Sequence, residues 1–333
     1  MTTRARLLAS AGLVLALVVL GASPAGAVTP RPTNDHSQVT SVDPAGVVAA
    51  RVIGGDSLLE VTAAVGHEVV VAGYGGEPYL RIQPDGSVQV NGHSAAVSLN
   101  RSRAGAPVAL SAPAPTDVDW QPFGSGGTVT WHDHRIHAGD GVDLSAPIDW
   151  TIPITVDGSA GFITGRLERQ AAPSPLPALA GALVLTALIY AAGRRHPVGT
   201  SIAALAVAAV VAAGTGFVEW HSLPATTARN AGLFLLPLAA AAGAAVALVT
   251  RRQMVRLVAL VLSVSLLAGW LAFRWSILTR AVLVSDLAPT VDRAGMVVVL
   301  GSALAAAGLI VNGAGSEEAQ VGRSDRSGQV GPG

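Results

Sequence analysis

The chain has 333 residues, 50% of them hydrophobic and only 13% charged, and its 21 basic and 21 acidic residues cancel. A soluble domain carries about 25% charged residues, so part of this chain is built to stay out of water, and the zero net charge gives no electrostatic basis for binding nucleic acid. Cysteine is absent, which excludes disulfides, thiolate metal sites, covalent haem attachment and a cysteine nucleophile.

In chain order, Arg4 and Arg6 precede an apolar run over 7–20 that ends at Ala25-Gly26-Ala27. Basic start, apolar stretch and small-residue site together predict a cleavable signal peptide over 1–27, with Val28 as the first mature residue. An uncleaved first helix is the alternative, but the run is short for a hydrocarbon core of about 30 Å. Residues 28–45, rich in Pro, Thr, Asp and Ser, read as a flexible lead-in.

Residues 46–169 change to the period of strands and predict an all-β, sandwich-like extracytoplasmic domain. Expected strands are 58–65, 68–72, 78–82, 87–91, 95–99, 108–111, 128–134, 148–156 and 161–167. Gln83-Pro84-Asp85-Gly86 predicts a hairpin turn, since Pro presets φ and Gly accepts a positive φ. Residues 170–177 hold Pro173, Pro175 and Pro177 and form a stiff spacer.

A bundle of about five transmembrane helices follows within 176–312, with spans expected at 176–193, 198–218, 231–250, 256–273 and 295–311. The mixed stretch 274–294 is expected along the membrane surface. Residues 313–333, rich in Gly, Ser and charge, read as a disordered cytoplasmic tail. Export of the N-terminal domain fixes the orientation. Arg194, Arg195, Arg251, Arg252 and Arg256 then fall inside, against Arg229, Arg274, Arg280 and Arg293 outside, a weak positive-inside bias. The expected partner of this half is the lipid bilayer. Glu219, His221, Arg256 and Arg274 all stand at run ends, so the bundle reads as a packed anchor rather than a pump or carrier.

The run Trp131-His132-Asp133-His134-Arg135-Ile136-His137 is the most pointed motif. On a strand His132 and His134 project from one face, about 7 Å apart. His137 has the wrong parity and joins only if the strand turns or bulges before Ala138-Gly139-Asp140-Gly141. Imidazoles without thiolates favour Cu(II) or Zn(II), and a packed polar network is the competing reading. Asp133, Glu77, Glu219 and His221 are accessory candidates, the last two because Glu219-Trp220-His221 ends the second span facing the β domain; an interfacial Trp anchor is the bland alternative. Gly55-Asp56-Ser57-Leu58 spells the nucleophile block of GDSL hydrolases. It is read as a turn, because no later Asp-x-x-His follows and the context is β-only. The glycines of Gly73-Tyr74-Gly75-Gly76-Glu77-Pro78 read as a turn before a strand, with a functional lip beside the histidines as the alternative.

Through Gly76 to Arg81 (G-E-P-Y-L-R) and Trp131 to His137 (W-H-D-H-R-x-H), the chain resembles a group of uncharacterised actinobacterial membrane proteins with an exported N-terminal domain and a helical C-terminal half. Absence of lysine and abundance of Ala, Val and Gly fit such a high-GC origin. In that group an aromatic commonly follows the last histidine, where this chain has Ala138. The architecture alone is also similar to copper-resistance membrane proteins, without their N-terminal His, since Val28 would lead here. The sequence thus predicts a non-enzymatic envelope protein whose exported domain binds a divalent metal through His132, His134 and His137, or binds an envelope protein partner. A structural or assembly protein with a packed histidine network is the alternative. A metal-dependent hydrolase with Asp133 or Glu77 as base is third.

Overall fold

The computed structural model describes residues 29–101, 117–139, 142–225, 227 and 229–327. The expected leader over 1–27, the strand expected at 108–111 and the Asp140-Gly141 part of the expected turn lie outside the described residues.

Among the described residues, ten strands precede the long helices: β1 Asp35–Asp43, β2 Val48–Ile53, β3 Leu58–Ala63, β4 Val69–Ala72, β5 Pro78–Ile82, β6 Val88–Asn91, β7 Trp120–Gly124, β8 Thr128–Trp131, β9 Ile148–Val156 and β10 Ser159–Arg169. They form two antiparallel sheets, one ordered β1-β10-β9-β4-β5-β6-β7 and one ordered β2-β3-β8. Strict alternation puts Trp150, Ile152, Ile154 and Val156 of β9 on the inner face. There they meet Leu59, Val61 and Val129 of the smaller sheet in one core. Burying each such aliphatic side chain contributes about 1.5–3 kcal/mol. Gly165 of β10 stands opposite Trp150. A Cβ there would lie 2.0 Å from the Trp150 ring and 2.4 Å from the Gln38 carbonyl oxygen, so only glycine admits the indole. The expected hairpin forms as read: Gly86 has φ +81°, and Gln83 N–H donates to the Ser87 carbonyl at 2.8 Å.

Three expectations are corrected. The lead-in over 28–45 contains β1, which pairs with β10 along its length; its Ser, Thr and Asp side chains are those of an edge strand with little burial. Residues expected as a strand at 95–99 form a short helix, α1 Ala96–Leu99, held by N–H bonds from Asn100 to Ala96 and from Leu99 to Ala95. The strand expected over 128–134 stops at Trp131, and a 3-10 turn covers His134–Ile136.

The second half consists of α2 Leu176–Gly193, α3 Pro197–Ser222, α4 Gly232–Val249, α5 Gln253–Arg274 and α6 Pro289–Ser327. Among the described residues, five helical segments are long and apolar enough to cross a bilayer, which makes the chain a multi-pass membrane protein. Their outward residues, such as Leu183, Leu188, Val210, Leu248 and Val249, are exposed and apolar, as a lipid-facing surface requires. Inward positions are small: Ala208, Ala209 and Ala212 of α3 and Ala240, Ala244 and Ala247 of α4 are buried, letting the helices approach closely. The last helix starts before the expected span and continues as helix to Ser327, into the segment expected as a tail; Pro289 at its start and Ala-, Glu- and Gln-containing sequence beyond 313 are compatible with helix.

The stretch 275–288 does more than lie along a surface. Thr33 and Val282 exchange both backbone hydrogen bonds, at 3.0 and 2.9 Å, and Ala281 N–H donates to Asn34 Oδ1. Ile53 and Leu58 of the β domain form a separate buried cluster with Leu223 and Val284 of the helical half. Gly55, at φ +79°, abuts Thr33, Val282 and the Asp35 carbonyl. The β domain is therefore bonded and packed against one end of the bundle.

Candidate functional site

The site begins where β8 ends. Asp133, fully buried, accepts the backbone N–H of Arg135 at 2.9 Å and so caps the 3-10 turn. A 3-10 turn has about three residues per turn, so side chains at i and i+3 eclipse. His134 and His137 are such a pair, so the chain turns after Trp131 and meets the condition under which His137 joins the other two. All three imidazoles gather: ring centres lie 4.9 Å apart for His132 and His134, 5.4 Å for His132 and His137, and 6.4 Å for His134 and His137. His132 and His134 are buried, and the His137 side chain is nearly so.

Each ring has one nitrogen on a protein oxygen. His132 Nδ1 lies 2.6 Å from the Ser57 carbonyl, His134 Nε2 lies 3.0 Å from the Leu99 carbonyl, and His137 Nδ1 lies 2.6 Å from Asp56 Oδ2. Asp56 is fully buried and was not anticipated; nothing in a Gly-Gly-Asp-Ser turn signals a partner so distant in sequence. The turn reading of that block holds, since 54–57 joins β2 to β3 and Ser57 Oγ donates to the Gly54 carbonyl at 2.8 Å.

A second layer supports the cluster. Tyr74 hydroxyl accepts the His134 N–H at 2.8 Å and donates to Asn100 Oδ1 at 2.5 Å. Burial pushes the Tyr74 phenol well above its ordinary range, and burial likewise pushes Tyr79 up to about 12, so both stay protonated at neutral pH. The Arg135 guanidinium stacks 5.0 Å over the Tyr74 ring and pairs with Asp133 at 2.7 Å. Burial alone would raise the Asp133 carboxyl. The Arg135 guanidinium and N–H and the Trp131 indole N–H outweigh it and hold the carboxyl below the usual carboxylate range.

The accessory residues fall elsewhere. Asp133 is committed to Arg135 and Trp131, which leaves it ill-suited as a base. Glu77 accepts from Ser94 Oγ at 2.6 Å and from Gly75 N–H at 2.9 Å, stitching the glycine-rich loop. Glu219 pairs with Arg274 inside the helical half, and exposed His221 lies against Phe217. His36, His67 and His93 pair with Glu168, Asp157 and Asp117, away from the cluster. Among the described residues, no group of three or more His, Asp or Glu side chains is arranged to hold a metal ion. No family model, curated protein or solved structure matches the chain.

Proposed function

We propose that this is an envelope membrane protein of structural or assembly type, in which an exported β domain is set rigidly on the bundle and the histidine cluster braces that joint. One observation carries the reading. His132 and His137 hold the 54–57 turn through Ser57 and Asp56, and the residues flanking that turn, Ile53 and Leu58, are the ones that pack on Leu223 and Val284. Export is supported by the leader-like start and by the arginines at 194, 195, 251, 252 and 256, which favour a cytoplasmic position. A docked rigid domain offers a fixed face to an envelope partner.

A second reading has its own support. Three imidazoles bound to one Zn(II) at about 2.0–2.1 Å would have ring centres about 5 Å apart, close to two of the three spacings here. Ligating histidines also fix their second nitrogen on a carbonyl or carboxylate, as all three do. Against it stands the present arrangement of donors, which is not that of a metal site.

The test uses a chain that has no cysteine of its own. Leu58→Cys, placed in the joint, is probed with a maleimide in the purified full chain, alone and with His132→Ala and His137→Ala, alongside metal analysis after loading with Cu(II) or Zn(II). The brace reading expects a protected thiol that becomes reactive in the double-alanine background, and no stoichiometric metal. A thiol that stays protected refutes it; metal bound by the parent and lost from a folded variant with the joint intact establishes the metal reading instead.

A further inference from the structure

The two ends of the helical bundle differ in charge. Between Gln170 and Asn312 the acidic residues are Glu219, Asp286 and Asp292, and all stand at the end that carries the β domain. There buried Arg274 of α5 donates to Thr215 Oγ1 at 2.9 Å and Glu219 Oε2 at 2.6 Å on α3, and to both Asp292 carboxylate oxygens on α6 at 3.0 Å. Asp286 N–H donates to Ser222 Oγ, where α3 ends, at 2.9 Å. The opposite end holds Arg194, Arg195, Arg251, Arg252 and Arg256 and, up to Asn312, no carboxylate. Arg256 turns its guanidinium back onto the Thr250 carbonyl at 2.6 Å. Arg251 and Arg252 are exposed, and their charge is left for a partner from outside the chain.

A groove runs up to these two arginines. The antiparallel α4 and α5 are joined through Thr250-Arg251-Arg252, and an open cavity of about 480 Å³ lies between them. One wall is Ala239, Ala242 and Val246 of α4, at the spacing of a single helix face; the other is Val255, Val258 and Leu262 of α5. The floor is closed. A Cβ on Gly243 would lie 2.4 Å from Ser263 Oγ, which itself donates to the Ala240 carbonyl at 2.9 Å. Val246 and Val255 flank the connection by about one turn each, and from Ala239 to Thr250 the chain rises about 16 Å. That is the depth of one leaflet in a hydrocarbon core of about 30 Å.

We propose that this groove, with Arg251 and Arg252, is a binding site for one anionic phospholipid in the leaflet away from the β domain. An acyl chain lies between α4 and α5, and the headgroup phosphate is held by the two guanidiniums. Charge complementarity selects the occupant: basic pockets between membrane helices recognise anionic headgroups, and a guanidinium offers phosphate two parallel N–H donors. A zwitterionic lipid fills the groove equally well but brings its own cation to the arginines. A second copy of the chain in the same orientation would bring another Arg251-Arg252 pair to the same place, like charge against like.

The experiment is native mass spectrometry of the full chain in detergent micelles, incubated with phosphatidylglycerol or with phosphatidylcholine of the same chains. Two arginines near a membrane surface, at about fivefold each, give an expected preference of about 25-fold for one bound phosphatidylglycerol. Arg251→Gln with Arg252→Gln should bring the preference close to one, while Arg194→Gln with Arg195→Gln leaves it in place. Ala242→Leu, at an exposed position on the groove wall, should abolish retention of both lipids. A parent that holds both lipids alike overturns the proposal. So does an equal loss with either arginine pair, which marks a diffuse basic surface, or displacement by excess inorganic phosphate, which marks a headgroup site without a chain. Retention unchanged in Ala242→Leu places the chain elsewhere and refutes the groove. A parent that is a dimer and becomes a monomer in Ala242→Leu makes a second copy the occupant and overturns the lipid. Should the glutamine variant lose helix by circular dichroism, Arg251→Lys with Arg252→Lys must keep the preference, and its loss there with helix intact refutes the site.

Discussion

Asp133→Asn tests most directly how the histidine cluster is held in shape. The buried carboxylate takes four donors: Trp131 Nε1 at 2.9 Å, Arg135 N and Nε at 2.9 Å each, and Arg135 NH2 at 2.7 Å. Asparagine keeps one acceptor oxygen and turns an NH2 towards the guanidinium, donor against donor. Removing one partner of a buried ion pair typically costs about 3–5 kcal/mol. Arg135 retains 18% side-chain exposure, the Ala72 carbonyl at 3.1 Å and the Tyr74 face, so the lower end, about 3 kcal/mol, is expected. For a domain of this size that lowers the midpoint of β-domain unfolding by about 10 °C, read by circular dichroism on the full chain in detergent. Adding Arg135→Met should recover part of the loss, because the orphaned cation leaves with its partner. The folded carboxyl sits below its unfolded value, so its contribution is complete above the ordinary range near about 3.9 and disappears as pH falls from there through the lower folded value. Asp133→Asn should therefore remove this part of the acid-unfolding limb while lowering stability at neutral pH. A variant within about 0.5 kcal/mol of the parent, a typical surface effect, would refute the account.

Gly165→Ala should displace the Trp150 indole, given the 2.0 Å approach to its ring, costing about 3 kcal/mol as an overpacked core and weakening the near-ultraviolet tryptophan signal; an unchanged signal contradicts the packing. A reporter active only outside the cytoplasm should work when fused after Arg169 and fail after Gly313, because an exported domain followed by five crossings puts the two fusions on opposite sides. Activity at both sites would reject the proposed orientation.

The fold was legible wherever one face of an element is buried and the other is not. β9 follows the bounds read from its alternation, β5 those set by the turn it flanks, and α2 its apolar run. Elements without that contrast were missed. β1 buries only one residue fully along its nine, and β7 has no fully buried position; an edge strand facing water on most sides has the composition of a linker, and only its backbone pairing makes it a strand. The 95–99 segment is Ala-Ala-Val-Ser-Leu, whose Ala and Leu favour helix, and local i to i−3 and i−4 bonds from Ser98 and Leu99 to Ala95 close it as one.

The two polar clusters were legible in the sequence to different degrees. In the β domain the residue types were right, but the geometry came from Asp133 acting on the backbone. Its cap turns the chain after Trp131 and exchanges the period of two for a period of three, which brings in His137. In the membrane half each charged residue stands at the end of an apolar run, where snorkelling to the surface is the ordinary expectation. Asp292 had a readable signal: Pro289 starts a helix and an acid in its first turn belongs to that helix, so the fifth span begins earlier than its apolar run. Once it does, residues at the same end of three spans meet, and Arg274 pairs with both Glu219 and Asp292. Three run-end charges on three packed helices are one cluster rather than three anchors.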